Sequence, residues 1–386
     1  MDWSILQGRM VQYRRHFHQY PEVSHHEVKT RGFIQKELEL LGLKPFSFSG
    51  KDVAVEIEGR APGKMVALRA DMDALPINEE TGLPFASKNN GTMHACGHDG
   101  HMAILLGLVH FFKENQHQFN GSIRFIFQHA EESIPGGARE VVEAGGLKGV
   151  DAIFGYHLWQ PLPAGTIGVR SGPVMAGADE FNIRIFGKGG HGSMPNETVD
   201  PTLIAAMAIM QIHTIVSRSL NPIEPAVISI GELKSGSTYN VIPDQATLSG
   251  TVRHFNPHVS KQVHKRLADI LAGICLSYGA KYELDYSYGD PPVTNNEKLY
   301  AIMKEKAIDL FGESTVVEMD PQLGSEDFSY YTDRIPGMYT FIGVGNKDLP
   351  YGHHHPKFDL DENMFVPTVK LLSDAVVHYL NNGEIL

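Results

Sequence analysis

The stretch Thr92-Met-His-Ala-Cys-Gly-His-Asp-Gly-His101 runs without a break into Met102-Ala-Ile-Leu-Leu-Gly-Leu-Val-His-Phe-Phe112. The second half is a long apolar run and predicts a buried helix over 102–112. The first half, bent at Gly97 and Gly100, predicts the turn that opens it. Strand-like runs stand on either side, at 53–57 and 65–69 before it and at 122–127 and 152–156 after it. Two further helices are expected near the start, one through Ile5, Leu6 and Met10 and one over 28–41. Strands separated by helices predict an α/β layered domain with helices covering a mixed or parallel sheet.

From about 179 the pattern changes. The run 181–186 alternates like a strand with one buried face. A helix candidate over 201–217, strands at 226–230 and 246–252, a helix over 259–278 and a strand at 281–286 follow. That order, β-α-β-β-α-β, is the ferredoxin-like split pattern. Gly172-Pro173 before it and Gly289-Asp-Pro-Pro292 after it mark turns or hinges. Residues 293–386 return to helix, strand and helix. The expected division is therefore a discontinuous domain of residues 1–178 and 291–386, interrupted by an inserted domain of residues 179–290.

Bulk composition narrows the function. A chain of 386 residues, 42% hydrophobic and 20% charged, has the make-up of a globular protein of two domains. Its net charge of -12 argues against nucleic acid and anionic membrane surfaces as partners. The N-terminal residues lack a signal-peptide pattern, and no apolar run approaches the ~20 residues of a membrane helix. Two cysteines, Cys96 and Cys275, are too few for a disulfide framework. The expected location is the cytoplasm.

The chemistry gathers at predicted strand ends. Cys96 and His98 offer a thiolate and an imidazole, donors suited above all to zinc. The 122–127 strand runs into Gln128-His-Ala-Glu-Glu132, and two adjacent carboxylates call for positive compensation, which a metal would supply. One glutamate can ligate while the other takes a proton from water. His157 closes the next strand, and His353-His-His355 sits on a Gly/Pro-bounded loop. These donors exceed the needs of one four-coordinate ion and suggest two ions sharing a ligand. A thiol enzyme with Cys96 as nucleophile and a non-catalytic metal-binding protein are the competing readings.

Several motifs, in order, resemble the M20 metallopeptidase family in its aminoacylase or amidohydrolase branch. They are Arg14–Glu22, Leu68–Pro76, Met93–His101, Gln128–Glu132, Gly187–Ser193, Tyr239–Pro243 and Gly324–Phe328. The resemblance implies a mixed-sheet metallohydrolase catalytic domain with an inserted lid or dimerisation domain, and two divalent ions (Zn, Mn, Co or Ni). It makes Cys96, His98, Glu132, His157 and His354 the metal ligands and Glu131 the general base. His191 becomes an oxyanion donor, often acting from a partner subunit, and Asn240 and Arg253 become anchors for the substrate carboxylate. Asp71 and Glu326 fall behind the ligands, Asp71 as the group orienting a metal-bound histidine. The implied activity is hydrolysis of the amide bond of a small N-acyl amino acid by a homodimer or larger homo-oligomer. A dipeptidase or aminopeptidase of the same family is the alternative.

Overall fold

The computed structural model describes residues 1–382, and its internal contacts divide them into two compact units. The first comprises Met1–Val174, Val293–Pro321 and the described residues from Asp327 on; the second comprises Met175–Pro292 and Gln322–Glu326. The second unit thus begins before residue 179, ends beyond residue 290 and includes a short segment that periodicity did not mark. Backbone pairing accounts for the early start and the added segment. The strand Gly177–Phe186 starts ahead of its alternating run, and the Ala176 amide donates to the carbonyls of Gln322 and Gly324.

The first unit holds a seven-stranded mixed sheet in the order Val53–Glu58, Ser122–Gln128, Met65–Asp71, Ala152–Pro163, Gly337–Gly345, Ile167–Val169 and Val316–Glu318. Met65–Asp71 runs parallel to both of its neighbours, and Gly337–Gly345 runs parallel to Ala152–Pro163. The carboxyl ends of these central strands therefore open on one edge of the sheet, where open α/β folds bind their ligands. Asp71 pairs with Gln128 at that edge, so the Glu131-Glu132 turn leaves the sheet beside the turn after Asp71.

The apolar helix is His98–Glu114, and it begins four residues before the expected Met102. Gly97 supplies the reason, because its φ of 95° is open to glycine and ends the preceding turn. His98 and Asp99 thereby join the first helical turn. Its Ile104, Leu105, Leu106 and Leu108 are fully buried, each worth roughly 1.5–3 kcal/mol of hydrophobic stabilisation. Trp3–Gln19 and Phe365–Asn382 pack along it. The contact with Trp3–Gln19 is also ionic: Arg14, fully buried, donates to Asp99 at 3.1 Å and to Glu362 at 3.1 Å, and bonds Asp359 as well. His18 gives one ring nitrogen to Asp99 (2.7 Å) and the other to Glu79 (3.2 Å). Burial alone would drive His18 down, but these two carboxylates outweigh it and lift the imidazole to about 9. The Arg14–Glu22 motif thus clamps the helix turn that carries His98.

The second unit is a four-stranded antiparallel sheet in the order Lys281–Ser287, Gly177–Phe186, Gln245–His254 and Ala226–Ser235. Helices Pro201–Arg218 and Pro257–Tyr278 cover one face and share its core. Asp200 and Asn256 cap their N-termini, each followed by a proline in the first turn. This is the strand order of the split β-α-β arrangement. A short ribbon, Gly190–His191 against Val241–Ile242, had no counterpart in the periodicity, being only two residues on each side.

Candidate metal centre

Four segments of the first unit converge at the carboxyl edge of its sheet. Cys96 and His98 come from the helix-opening turn, Glu131 and Glu132 follow Ser122–Gln128, His157 lies on Ala152–Pro163, and His354 comes from the C-terminal loop. A ligating atom from each of Cys96, His98 and His157 lies within 4.8 Å of the others. The same holds for Cys96, Glu132 and His354, and for His98, Glu131 and Glu132. Cys96 and Glu132 thus belong to overlapping triads, the arrangement expected where two ions share a ligand.

Hydrogen bonding leaves these donors aimed at one another. The His98 Nδ1–H donates to the Asp73 carbonyl at 2.9 Å, which turns Nε2 toward Glu132 at 3.9 Å. His157 likewise spends Nδ1–H on the Leu158 carbonyl (3.0 Å), and its Nε2 lies 3.5 Å from the Cys96 sulfur. Among the described residues, His98 Nε2 and Glu132 Oε1 are buried and make no hydrogen bond of good geometry, although the His354 ring stands close to the latter. Orphaned polar atoms of this kind are rare in native interiors and ask for a partner.

The electrostatics agree. Burial pushes the Cys96 thiol well up, and Glu132 and Glu131 push it further. Burial opposes a charged His98, yet Asp71, Asp73 and Glu132 outweigh it and raise the ring to about 10. Burial and the neighbouring His101 and His353 keep His157 neutral. A divalent cation would satisfy these donors. Bound to these donors it would release the Cys96 and His98 protons, as metals do on binding thiolate and imidazole. The donor set therefore fits a divalent metal pair.

The three consecutive histidines separate cleanly. His353 accepts from the Gln160 amide and packs between Trp159 and Phe358. His355 accepts from the Lys357 amide and stacks on Tyr351. His354, held by its amide to the Ala95 carbonyl and turned by a φ of 62°, puts Nε2 3.3 Å from Glu132 Oε1.

Positioning of the carboxylates depends on a residue outside the predicted set. Asp73 accepts the amides of both Glu131 and Glu132 (3.0 Å each) and the Ser24 hydroxyl (2.6 Å). Glu27 accepts the amide of Ala130, whose φ of 52° makes the turn between strand and carboxylate pair. Burial, with Asp73 nearby, raises Glu27 to about 7. The motif Leu68–Pro76 contains Asp73, but a second aspartate two residues after Asp71 gave no sign of which one would reach this turn.

Asp71 lies beside two histidines of the helix. Its Oδ1 accepts from His101 Nδ1 at 2.7 Å, and the other His101 nitrogen accepts from the Leu158 amide, so Asp71 orients a histidine that faces the backbone. His98, three residues earlier on the helix, gives Nδ1 to the Asp73 carbonyl and has Asp71 Oδ1 at 3.7 Å. The other oxygen of Asp71 accepts from Arg69 (2.7 Å), whose guanidinium also donates to Gln128 (2.8 Å) and Asp327 (2.6 Å). Asp327 thereby joins this network. Glu326 is buried and belongs to the second unit.

His191, Asn240 and Arg253 all lie in the second unit. His191 pairs with Val241, and the Asn240 carbonyl accepts the Gly192 amide at 2.9 Å, so these two are neighbours on the exposed ribbon. His191 Nδ1 accepts from Ser193, leaving Nε2 as the ring's donor. Arg253 is not brought to them. Gln245 pairs with Phe186 at the ribbon end of the sheet, whereas Arg253 pairs with Ala178 at the other end and bonds Thr251.

The fold and donor set are those of a metallohydrolase, and the comparisons agree. The profile of peptidase family M20/M25/M40 matches residues 67–378, and the chain belongs to that family. An N-acetyl-L-cysteine deacetylase of Bacillus subtilis is 40% identical over 99% of this chain and 90% of its own length. Thermostable carboxypeptidase 1 of Saccharolobus solfataricus is 42% identical over 93% of this chain and 92% of its own. The crystal structure of Bacillus subtilis YXEP, described as a dinuclear metal-binding peptidase of the M20 family, superposes with a TM-score of 0.87. It is 38% identical, over 98% of this chain and 99% of that one. The protein is a hydrolase acting on amides.

Proposed function

We propose that the protein hydrolyses the amide bond of N-acyl-L-amino acids, releasing a carboxylate and a free amino acid. The observation that carries this reading is the overlap of the Cys96, His98, His157 triad with the Cys96, Glu132, His354 triad, with the Glu131 carboxylate beside them. Cys96, His98, Glu132, His157 and His354 would hold two divalent ions; thiolate and imidazole favour zinc by softness, while carboxylate and imidazole also suit manganese, cobalt or nickel. When bound, the ions supply Lewis acidity toward the scissile carbonyl and the attacking water.

The protein's own residues do the rest. Glu131 takes the proton of the attacking water and returns it to the leaving amine. Its backbone amide is fixed by Asp73, so the carboxylate is presented from a rigid turn. His191 donates from Nε2 to the developing oxyanion, an interaction commonly worth about 3 kcal/mol. Asn240 and Arg253 bind the free carboxylate of the substrate. Because these two lie at different ends of the second unit, the complete site draws on two copies, and a homodimer through that unit is part of the reading. Two free cysteines fit a cytoplasmic location, and among the described residues no helix is long and apolar enough to cross a membrane.

A substrate panel tests the reading. With enzyme loaded with one metal at a time, N-acetyl, N-benzoyl and indole-acyl amino acids are expected to turn over, and their amino-acid amides, lacking the carboxylate, to lose most of kcat/KM. Faster turnover of dipeptides than of any N-acyl amino acid would replace this activity with a peptidase. Equal rates with and without the carboxylate would remove Asn240 and Arg253 from the site.

A further inference from the structure

A second group of metal-binding side chains stands on the far side of the Glu131-Glu132 turn and has no part in the reaction above. His25, His129 and Glu140 each offer a ligating atom, all within 4.8 Å of one another. They come from three elements: the loop before helix Val28–Leu40, the end of strand Ser122–Gln128, and helix Gly137–Glu143. His129 is fully buried, with Nε2 3.2 Å from a Glu140 oxygen and Nδ1 without a hydrogen-bond partner among the described residues. Its backbone is held too, since a Cβ on Gly137 would meet the His129 carbonyl oxygen at 2.0 Å. His25 is exposed, with its ring 5.9 Å from that of His129 and its Nε2 3.1 Å from the Ser133 hydroxyl.

The His129 Nε2 and a Glu140 oxygen face each other at 3.2 Å with a second imidazole at the mouth, so the three side chains are placed to share one ion. We propose that His25, His129 and Glu140 form a further divalent-cation site of the zinc type, with water completing the coordination. Two imidazoles and one carboxylate are a common set of three protein ligands for zinc. Burial keeps His129 low and hence neutral, with a lone pair to donate. The resident competitor is Lys51, whose ammonium sits 2.9 Å from the other Glu140 oxygen. An ion here joins three elements around the turn that presents Glu131, so occupancy also stabilises the fold by linkage.

The test is zinc binding by equilibrium dialysis on the full-length enzyme, beside a thermal melt at each zinc concentration. Wild type is expected to bind one equivalent more than His25→Ala or Glu140→Gln, and its Tm to keep rising after the other sites fill. Each variant is expected to weaken that equivalent by at least about 10-fold, the least that loss of a supporting contact costs a metal site. Lys51→Met is expected to tighten it by roughly 2–5-fold, the range of an exposed ion pair. The count is taken against the variants, so it does not depend on how many ions the Cys96 centre holds. Equal stoichiometry and equal Kd in wild type, His25→Ala and Glu140→Gln would overturn the site. Weaker binding in Lys51→Met would do so as well.

Discussion

Glu131→Gln is expected to lower kcat by about 10²–10⁴-fold, the usual contribution of a positioned general base, while the enzyme keeps its full metal content. Gln preserves the size of the side chain and the backbone bond to Asp73, so the turn and the neighbouring Glu132 stay in place. Only the ability to accept and return a proton is removed. Steady-state kinetics alongside metal analysis of the same sample separates the two effects. A variant with normal kcat would take Glu131 out of the chemistry; one that also lost metal would make it a ligand.

Arg69→Met is expected to destabilise the first unit by about 3–5 kcal/mol, the cost of leaving a buried charge without its partner. Arg69 is fully buried and its guanidinium reaches Asp71, Gln128 and Asp327 at once. Asp71 shows the dependence: burial opposes its charge, and His98, His101 and Arg69 together hold it well below the usual carboxylate range. Methionine fills the space but takes from the buried Asp71 and Asp327 carboxylates the guanidinium they share. Arg69→Lys should fall between, since an ammonium cannot reproduce a guanidinium spanning three acceptors. Chemical denaturation reads the loss, and a change below 1 kcal/mol for Arg69→Met would show that the network relaxes without its centre.

The alternation of strands and helices was legible because each central strand is a short apolar run and the helix His98–Glu114 is apolar nearly all round. The four long strands and two helices of the second unit were legible for the opposite reason: they are half-buried, and their patterns switch cleanly between periods. Element ends were less visible. Gly97 moved the helix start to His98 through its backbone conformation, which composition does not display. The two-residue ribbon at His191 is too short for any period to register.

At the metal centre, the donor types could be read from sequence but not their meeting in space. His354 lies far along the chain from Cys96, and the bond from its amide to the Ala95 carbonyl helps bring the two loops together. The choice among His353, His354 and His355 rests on which ring nitrogens the backbone already uses. Asp71 and Asp73 look equivalent in sequence, being separated by one residue. They diverge because Asp71 ends its strand facing Arg69 and His101, while Asp73 lies on the turn beyond and receives the Glu131 and Glu132 amides. His25, His129 and Glu140 went unremarked because each is an ordinary polar residue until three elements place them together.

The central claim is that Cys96, His98, Glu132, His157 and His354 hold two ions that amide hydrolysis requires. Titrating the chelated, metal-free enzyme with a single divalent metal, while following hydrolysis of an N-acetyl amino acid, tests it most directly. Activity should be absent at zero metal, return as the Cys96 centre takes up its ions, and reach its plateau at the second equivalent. Full turnover by the metal-free protein would contradict the account and leave Cys96 as a nucleophile instead.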